Sequence, residues 1–414
     1  MTIQQTLLGS GVYDIKAHNT RAVLLALLRY EPVSRVRLAE LTGLSSTTIT
    51  NLISELLEHG IVAEEDMEKP KRRRKVGRPP SALRLVPEAR YAVGIHIGVG
   101  SVRVGIADLR ARLQSHLTQA HPLEKPPEEV LTETAALVDN AISESGVNPQ
   151  QVVGIGVGAS GLVNPQTGLN VFAPNLGWRD VPIGDWFTAR LGIPVCVDNN
   201  VRAMALGEAL FGAGQDVRAL AFVYARIGVG AGFVVDGELY RGGGAGAGEI
   251  GHTTILPDGG KLCRCGNTGC LETLVSEPAI VRLAVEMARH DGQSIPSAEP
   301  SYEEGGIIER IFDAARAGDK ATRAMLNERA RYMGIALANL VNTFNPELIL
   351  LGGVLAQGQD LLLPMIEATM RQRAFANLGR QVRLETTSFG RQAGTVGAAA
   401  LALNTFFYQQ PETV

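Results

Sequence analysis

Two absences narrow the field first. No apolar run approaches the ~20 residues that a membrane span needs, and no basic-then-apolar leader opens the chain to direct export. Cysteine is scarce as well: there are four, and three of them crowd into residues 263–270. That usage argues against a disulfide framework and for a metal site in a reducing compartment, so the cytoplasm is the expected location. What is present is ordinary for a globular chain: 414 residues, 45% hydrophobic and 20% charged, long enough for two or three domains. The net charge of −3 is unevenly spread. Residues 1–90 hold 14 Lys/Arg against 10 Asp/Glu, and the remainder holds 25 against 32. A basic head on an acidic body predicts that only the head meets a polyanion.

In the head, Ala22, Val23, Leu24, Ala26, Leu27 and Leu28 form a helical apolar stripe that begins near Asn19 and ends before Pro32. A second helix is predicted over 34–41, with Val36, Leu38, Ala39 and Leu41 inward. Gly43 can take the positive φ that a sharp reversal needs. A third helix is predicted from an N-cap at Ser45 to His59, where Gly60 stops it. It buries Ile49, Leu52, Ile53, Leu56 and Leu57, and its other face offers Ser46, Thr47, Thr48, Thr50, Asn51 and Ser54. Small polar side chains at the start of such a helix can reach base edges without blocking the major groove. Residues 61–63 and 83–85 read as paired strands, with residues 69–80 as a basic wing tip between them. There Arg72, Arg73, Arg74 and Lys75 would neutralise phosphates, and Gly77-Arg78-Pro79 is narrow enough to lay Arg78 in a minor groove. Residues 1–85 therefore read as a winged helix-turn-helix. Its candidate contacts to double-stranded DNA are Ser45, Ser46, Thr47, Thr48, Thr50 and Asn51 together with those basic side chains.

From Arg90 the texture changes. Residues 91–98 alternate like a strand and return over 102–108. A helix is predicted over 127–145, a strand over 152–158, and a strand over 194–198 leading into a helix at 201–211. Residues 220–224 and 232–235 make a hairpin around Gly228-Val229-Gly230. Helices over 278–290 and 321–342 precede a strand at 348–351 that ends in Gly352-Gly353. Hairpins followed by helices, twice over, predict an α/β body of two lobes with a cleft between them.

The most specific local signal is His252 followed by Cys263, Cys265 and Cys270. Gly266 and Gly269 let a short loop aim several ligands at one small ion. One His and three Cys close a tetrahedron with no open position, which predicts structural Zn2+ rather than a catalytic ion. Cys196 stands apart and is expected to be a small apolar core residue.

Taken in order, GVGASGLV at 156–163, APNLGW at 173–178, VDNN at 197–200, GVGAG at 228–232, GEIGH at 248–252 and CRCGNTGCLE at 263–272 form a recognisable series. The body resembles the repressor/open-reading-frame/kinase (ROK) family of bacterial sugar kinases and repressors over about 91–402. The head is similar to that of its xylose- and N-acetylglucosamine-repressor branch. The resemblance implies an actin-like, ribonuclease-H-like sugar-kinase fold over residues 90–405, with a short tail at 406–414. It also implies a sugar between the lobes, contacted by Ser160, Gly161, Asn175, Asn199, Asn200, Glu249, His252 and Glu272. His252 would bind the ion through one ring nitrogen and a hydroxyl through the other.

Two departures from the kinase pattern decide the functional expectation. Kinases of this family carry Asn-Asp where this chain has Asn199-Asn200, and that Asp takes the proton from the attacking hydroxyl. An amide cannot, and losing a positioned base costs on the order of 10²–10⁴ in rate. The kinases' first phosphate loop begins Asp-x-Gly-x-Thr, but here it begins at His96 and runs to Gly100. Imidazole is a poor ligand for the hard ion that accompanies ATP. The expectation is a non-enzymatic repressor of carbohydrate-metabolism genes, a homodimer or tetramer, that reads a pseudo-palindromic operator and is controlled by a bound sugar. One alternative is an active ATP-dependent sugar kinase with a fused DNA-binding domain and Asp198 as its base. A third is a repressor displaced from DNA by a protein partner.

Overall fold

In the computed structural model, which describes residues 12–66, 81–244, 246–290 and 306–409, three helices come first among the described residues. α1 (Val12–Tyr30) starts well ahead of Asn19 and ends, as expected, before Pro32. Val23, Leu24 and Leu27 on it are fully buried. α2 (Arg35–Thr42) is capped by Ser34, whose Oγ accepts from the Arg37 N–H at 3.2 Å. Gly43, at φ 70, then turns the chain sharply and donates its N–H to the Ala39 carbonyl at 2.9 Å. α3 (Ser46–Glu58) is capped by Ser45 Oγ, which accepts from the Thr48 N–H at 3.1 Å. It buries Ile49, Leu52, Ile53 and Leu56, while Ser46, Thr47, Thr50 and Asn51 face solvent. β1 (Val62–Asp66) and β2 (Ser81–Leu85) pair antiparallel, with Val62 opposite Leu85. The basic segment expected to touch phosphates, Arg72, Arg73, Arg74, Lys75 and Arg78, lies outside the described residues.

The body is built on two five-stranded sheets with the same topology. In the first, β3 (Tyr91–Ile97), β4 (Ser101–Asp108) and β5 (Leu113–Ala120) form an antiparallel meander. β6 (Val152–Ala159) and β10 (Val195–Asn199) then add in parallel beside β3, giving the order β10-β6-β3-β4-β5. A three-stranded sheet of β7 (Leu162–Asn164), β8 (Leu169–Ala173) and β9 (Trp178–Val181) packs into the same core. In the second, β11 (Ala219–Ala225), β12 (Val229–Val235) and β13 (Glu238–Tyr240) repeat the meander. β14 (Leu348–Gly353) and β15 (Arg383–Thr386) repeat the parallel additions. The helices α4 (Pro127–Ser145) and α5 (Ile183–Leu191) belong to the first half. α7 (Glu277–His290), α8 (Ile307–Arg316), α9 (Lys320–Phe344) and α10 (Gln359–Arg373) belong to the second.

Two almost wholly buried helices join the halves: α6 (Asn200–Phe211) and α11 (Ala393–Leu403). They approach to backbone contact, since a Cβ on Gly397 would stand 2.6 Å from the Ala203 carbonyl carbon. Small side chains are obligatory at that crossing. Cys196 in β10 is partly buried and packs against the core as an apolar residue would.

The expected tail at 406–414 needs correction at its start. Residues 404–408 continue α11 as a turn of π-helix, with Phe407 and Tyr408 fully buried. The Tyr408 hydroxyl donates to the Leu109 carbonyl at 2.6 Å. These aromatics share one hydrophobic cluster with Val23, Leu24 and Leu27 of the head, so the core of the N-terminal helices is continuous with that of the body.

Candidate functional site

Between the halves lies a cleft of about 300 Å³. Ser160 and Gly161 reach it from the end of β6, Asn175 from the β8–β9 loop, and Asn199 and Asn200 from the β10–α6 junction. Glu249, His252 and Glu272 reach it from the segment after β13. All eight side chains or backbones expected to touch a sugar therefore line one cavity. Their commitments differ.

Asn199 is the N-cap of α6. Its Oδ1 accepts from the Val201 and Arg202 N–H groups at 2.9 and 3.2 Å, and its Nδ2 donates to the Gly161 carbonyl at 2.9 Å. Most of its hydrogen-bonding capacity is spent on holding the cleft together. Asn200 opens α6, and its Nδ2 stands 3.3 Å from Ser160 Oγ and 3.4 Å from His96 Nε2. His96 is only 3% exposed. Burial, then the cations of Arg103 and Arg226, push its pKa down to about 3, so the ring is neutral at physiological pH. Its flat face lies on Gly394 of α11, where a Cβ would meet the ring at 2.6 Å.

Asp198, the alternative base, does not line this cavity. It is 1% exposed, and its two carboxylate oxygens are taken by Arg202 Nε at 2.7 Å and Arg241 Nε at 2.8 Å. The Asn199 N–H donates to it as well, at 2.7 Å. A carboxylate held by two guanidinium groups anchors the start of α6 and has both oxygens committed away from the cavity.

Glu249 and Glu272 are raised above the usual carboxylate range, chiefly by burial. Glu272 Oε2 accepts from the Val229 N–H at 3.0 Å, which leaves its other oxygen for a ligand. Gly228 makes room for this: a Cβ there would lie 3.1 Å from Glu272 Oε2 and 3.3 Å from Asn175 Nδ2. The cleft therefore offers acceptors and amide donors side by side, the chemistry that a polyhydroxylated ligand requires. A larger cavity of about 640 Å³ adjoins it through His96, Tyr224 and Arg226. Two ion pairs reach into that cavity, Arg391–Glu309 at 2.7 Å and Arg226–Glu277 at 3.8 Å.

Beside the cleft, His252, Cys263, Cys265 and Cys270 bring one ligand atom each to within 4.8 Å of one another. Cys265 and Cys270 Sγ are 3.7 Å apart, and His252 Nδ1 is 3.6 Å from Cys263 Sγ. A tetrahedral ion with metal–sulfur bonds of ~2.3 Å needs edges of about 3.7 Å, so this group could hold a metal ion. The loop is braced by bridges between Leu262 and Thr268 and between Thr254 and Cys270. Gly269, at φ 73, passes so close to Leu256 that its absent Cβ would overlap the Leu256 carbonyl oxygen. Reading the sequence alone missed Phe172 and Tyr224 among the lining residues. It also missed Arg264, which lies inside the cysteine motif and touches Asn175.

The ROK family profile matches residues 92–405. The xylose repressor of Caldicellulosiruptor bescii is 30% identical over 393 residues, covering 94% of this chain and 96% of that protein. Among solved structures, a ROK family transcriptional regulator that is a homologue of the E. coli MLC protein aligns with a TM-score of 0.79 at 29% identity. The alignment covers 96% of this chain and 98% of that one. A ROK family glucokinase from Streptomyces griseus, in complex with glucose and AMPPNP, aligns with a TM-score of 0.67 at 32% identity, covering 76% of this chain and 99% of its own.

Proposed function

Because the chain belongs to the ROK family, we propose that it is a DNA-binding transcriptional repressor of carbohydrate-metabolism genes whose body binds a sugar without phosphorylating it. One observation carries this reading above the others. The xylose repressor and the transcriptional regulator align over almost the whole chain, whereas the glucokinase accounts for only 76% of it. What the regulators share beyond the ROK region is the N-terminal head, which by this reading is a winged helix-turn-helix. Its second helix-turn-helix element, α3, presents Ser46, Thr47, Thr50 and Asn51 outward from a capped start, as a major-groove reader must. Arg72–Lys75 and Arg78 would add phosphate and minor-groove contacts. Two copies related by a twofold axis would read a pseudo-palindromic operator.

Within the cleft, Glu249 and Glu272 would accept from sugar hydroxyls, and Asn175 and Asn200 would donate. The group His252, Cys263, Cys265 and Cys270 would hold Zn2+, which suits a closed set of three sulfurs and one nitrogen. The bound ion would supply no chemistry beyond fixing the His252 ring, which leaves its second nitrogen for the ligand. Phosphoryl transfer is disfavoured by three features. By the resemblance, the amide of Asn200 would take the place of the kinases' proton acceptor; His96 is neutral at the first loop, and Asp198 is paired to two arginines. The test is operator affinity in the presence of D-xylose, D-glucose and N-acetyl-D-glucosamine, each titrated with and without ATP. At least one sugar is expected to change affinity severalfold without ATP. If none does, the effector reading is wrong.

A further inference from the structure

The cysteine motif carries a side chain that neither the metal nor the sugar chemistry explains. Arg264 sits between two of the four metal-ligating positions, yet its guanidinium leaves the loop and donates from Nη1 to Asn175 Oδ1 at 2.8 Å. The two residues belong to opposite walls. Asn175 lies on the β8–β9 loop, whose flanking Ala173, Leu176 and Trp178 pack in the core of the first sheet. The metal loop leads into Leu271, Leu274 and Val275, which pack in the core of the second. The hydrogen bond therefore spans the cleft mouth.

Its consequence for Asn175 is chemical. A carboxamide is ambivalent, with one acceptor end and one donor end. With Oδ1 turned toward the cation, Nδ2 is the end presented to the cavity, and it lies near Gly228, as Glu272 Oε2 does. Glu272 is in turn held through Oε2 by the Val229 N–H, so a fixed donor stands near a fixed carboxylate whose other oxygen is left for the ligand. A charged donor makes that orientation stronger than a neutral one would.

We propose that Arg264 is a positioning residue for the ligand: a cross-cleft latch that fixes Asn175 as a hydrogen-bond donor and ties the metal-bearing loop to the opposite wall. The proposal deepens the sugar-receptor reading and rests on it. It assigns to Asn175 a ligand oxygen acting as acceptor. It also makes the order of the cysteine loop matter to the ligand through a route separate from His252.

The test is a double-mutant cycle on the full-length chain with Arg264→Ala, Asn175→Ala and the pair. Calorimetry would use whichever of D-xylose, D-glucose and N-acetyl-D-glucosamine binds wild type most tightly, with metal content measured on each variant. Arg264→Ala is expected to weaken that sugar about tenfold at unchanged metal content, and Arg264→Lys to restore part of the loss. The double variant should bind no worse than Asn175→Ala alone, because Arg264 acts only through that amide. Equal affinity of Arg264→Ala and wild type would overturn the proposal, and so would losses that add independently. Should Arg264→Ala shed metal, the cycle is read on Arg264→Gln, with the same outcomes. A wild-type chain that binds none of the three sugars removes the sugar reading itself and this proposal with it, a result distinct from either failure above.

Discussion

Arg202 is the largest fully buried side chain in the described residues, and it is there because Asp198 is there. Removing one member of such a pair strands the other charge away from water, whereas surface ion pairs contribute little. Arg202→Met is therefore expected to destabilise the fold by about 3–5 kcal/mol in urea unfolding, although Arg241 still faces Asp198. His96 gives a pH signature. Its folded pKa, about 3, lies below the ordinary 6.5, so between those values the unfolded chain takes up a proton that the folded chain refuses. Its contribution to stability is full above pH 6.5 and is lost as the pH falls toward 3. His96→Gln should flatten the dependence of the urea midpoint between pH 7 and pH 5, and an unchanged slope would place the titrating group elsewhere. At this scale the sequence was legible wherever chemistry is concentrated in a short span. The group of His252, Cys263, Cys265 and Cys270, which could hold a metal ion, and the Asn199-Asn200 pair at the cleft stood out because their residue types and spacing admit few alternatives. The capture of Asp198 by Arg241, 43 residues away, was not legible, and neither was the spending of the Asn199 amide on Gly161. Both depend on contacts that only the fold creates.

A wet face made several elements readable, although the almost wholly buried α6 was also predicted, over 201–211. α4 was predicted over its full extent, because Val130, Leu131, Ala135, Val138 and Ala141 recur at helical spacing between polar positions and Gly146 ends the run. α11 escaped notice for the opposite reason. Every residue from Ala393 to Leu403 is buried, so no polar face marks the period, and Gly394 and Gly397 look like breakers. They are instead the residues that let the helix touch His96 and α6. Gly397→Leu is expected to abolish the soluble fold or cost more than about 3 kcal/mol, since its neighbour is backbone and cannot yield. β5 escaped because it is an edge strand rich in Gln, Ser, His and Thr, with no fully buried residue. In the head, Ser45→Ala removes the cap of α3 and should cost ~1 kcal/mol of stability. Operator affinity should fall with it, because the same residue opens the proposed reading surface.

Across the whole molecule, the feature that no local pattern announced is the shared core of head and body. α11 begins against His96 at the cleft and ends in Ala402 and Leu403, which join Leu24, Leu27, Phe407 and Tyr408 in one cluster. Glu31 adds a polar tie. Its carboxylate pairs with Arg110 of the body and accepts from the Leu85 N–H at 2.6 Å. A head packed this way is positioned by the body, which is what control of DNA binding by a distant ligand requires. Tyr408→Ala should loosen that junction, with a stability loss of about 3–5 kcal/mol and faster amide exchange in α1. On the proposed function, the cleft receives a sugar and reports it to the head instead of phosphorylating it. The most direct measurement follows operator binding by fluorescence anisotropy while D-xylose, D-glucose or N-acetyl-D-glucosamine is titrated, with ATP consumption recorded in the same sample. A sugar-dependent change in operator affinity with no ATP consumed above the protein-free rate is the expected result. Steady turnover of ATP to ADP with formation of a sugar phosphate would contradict it.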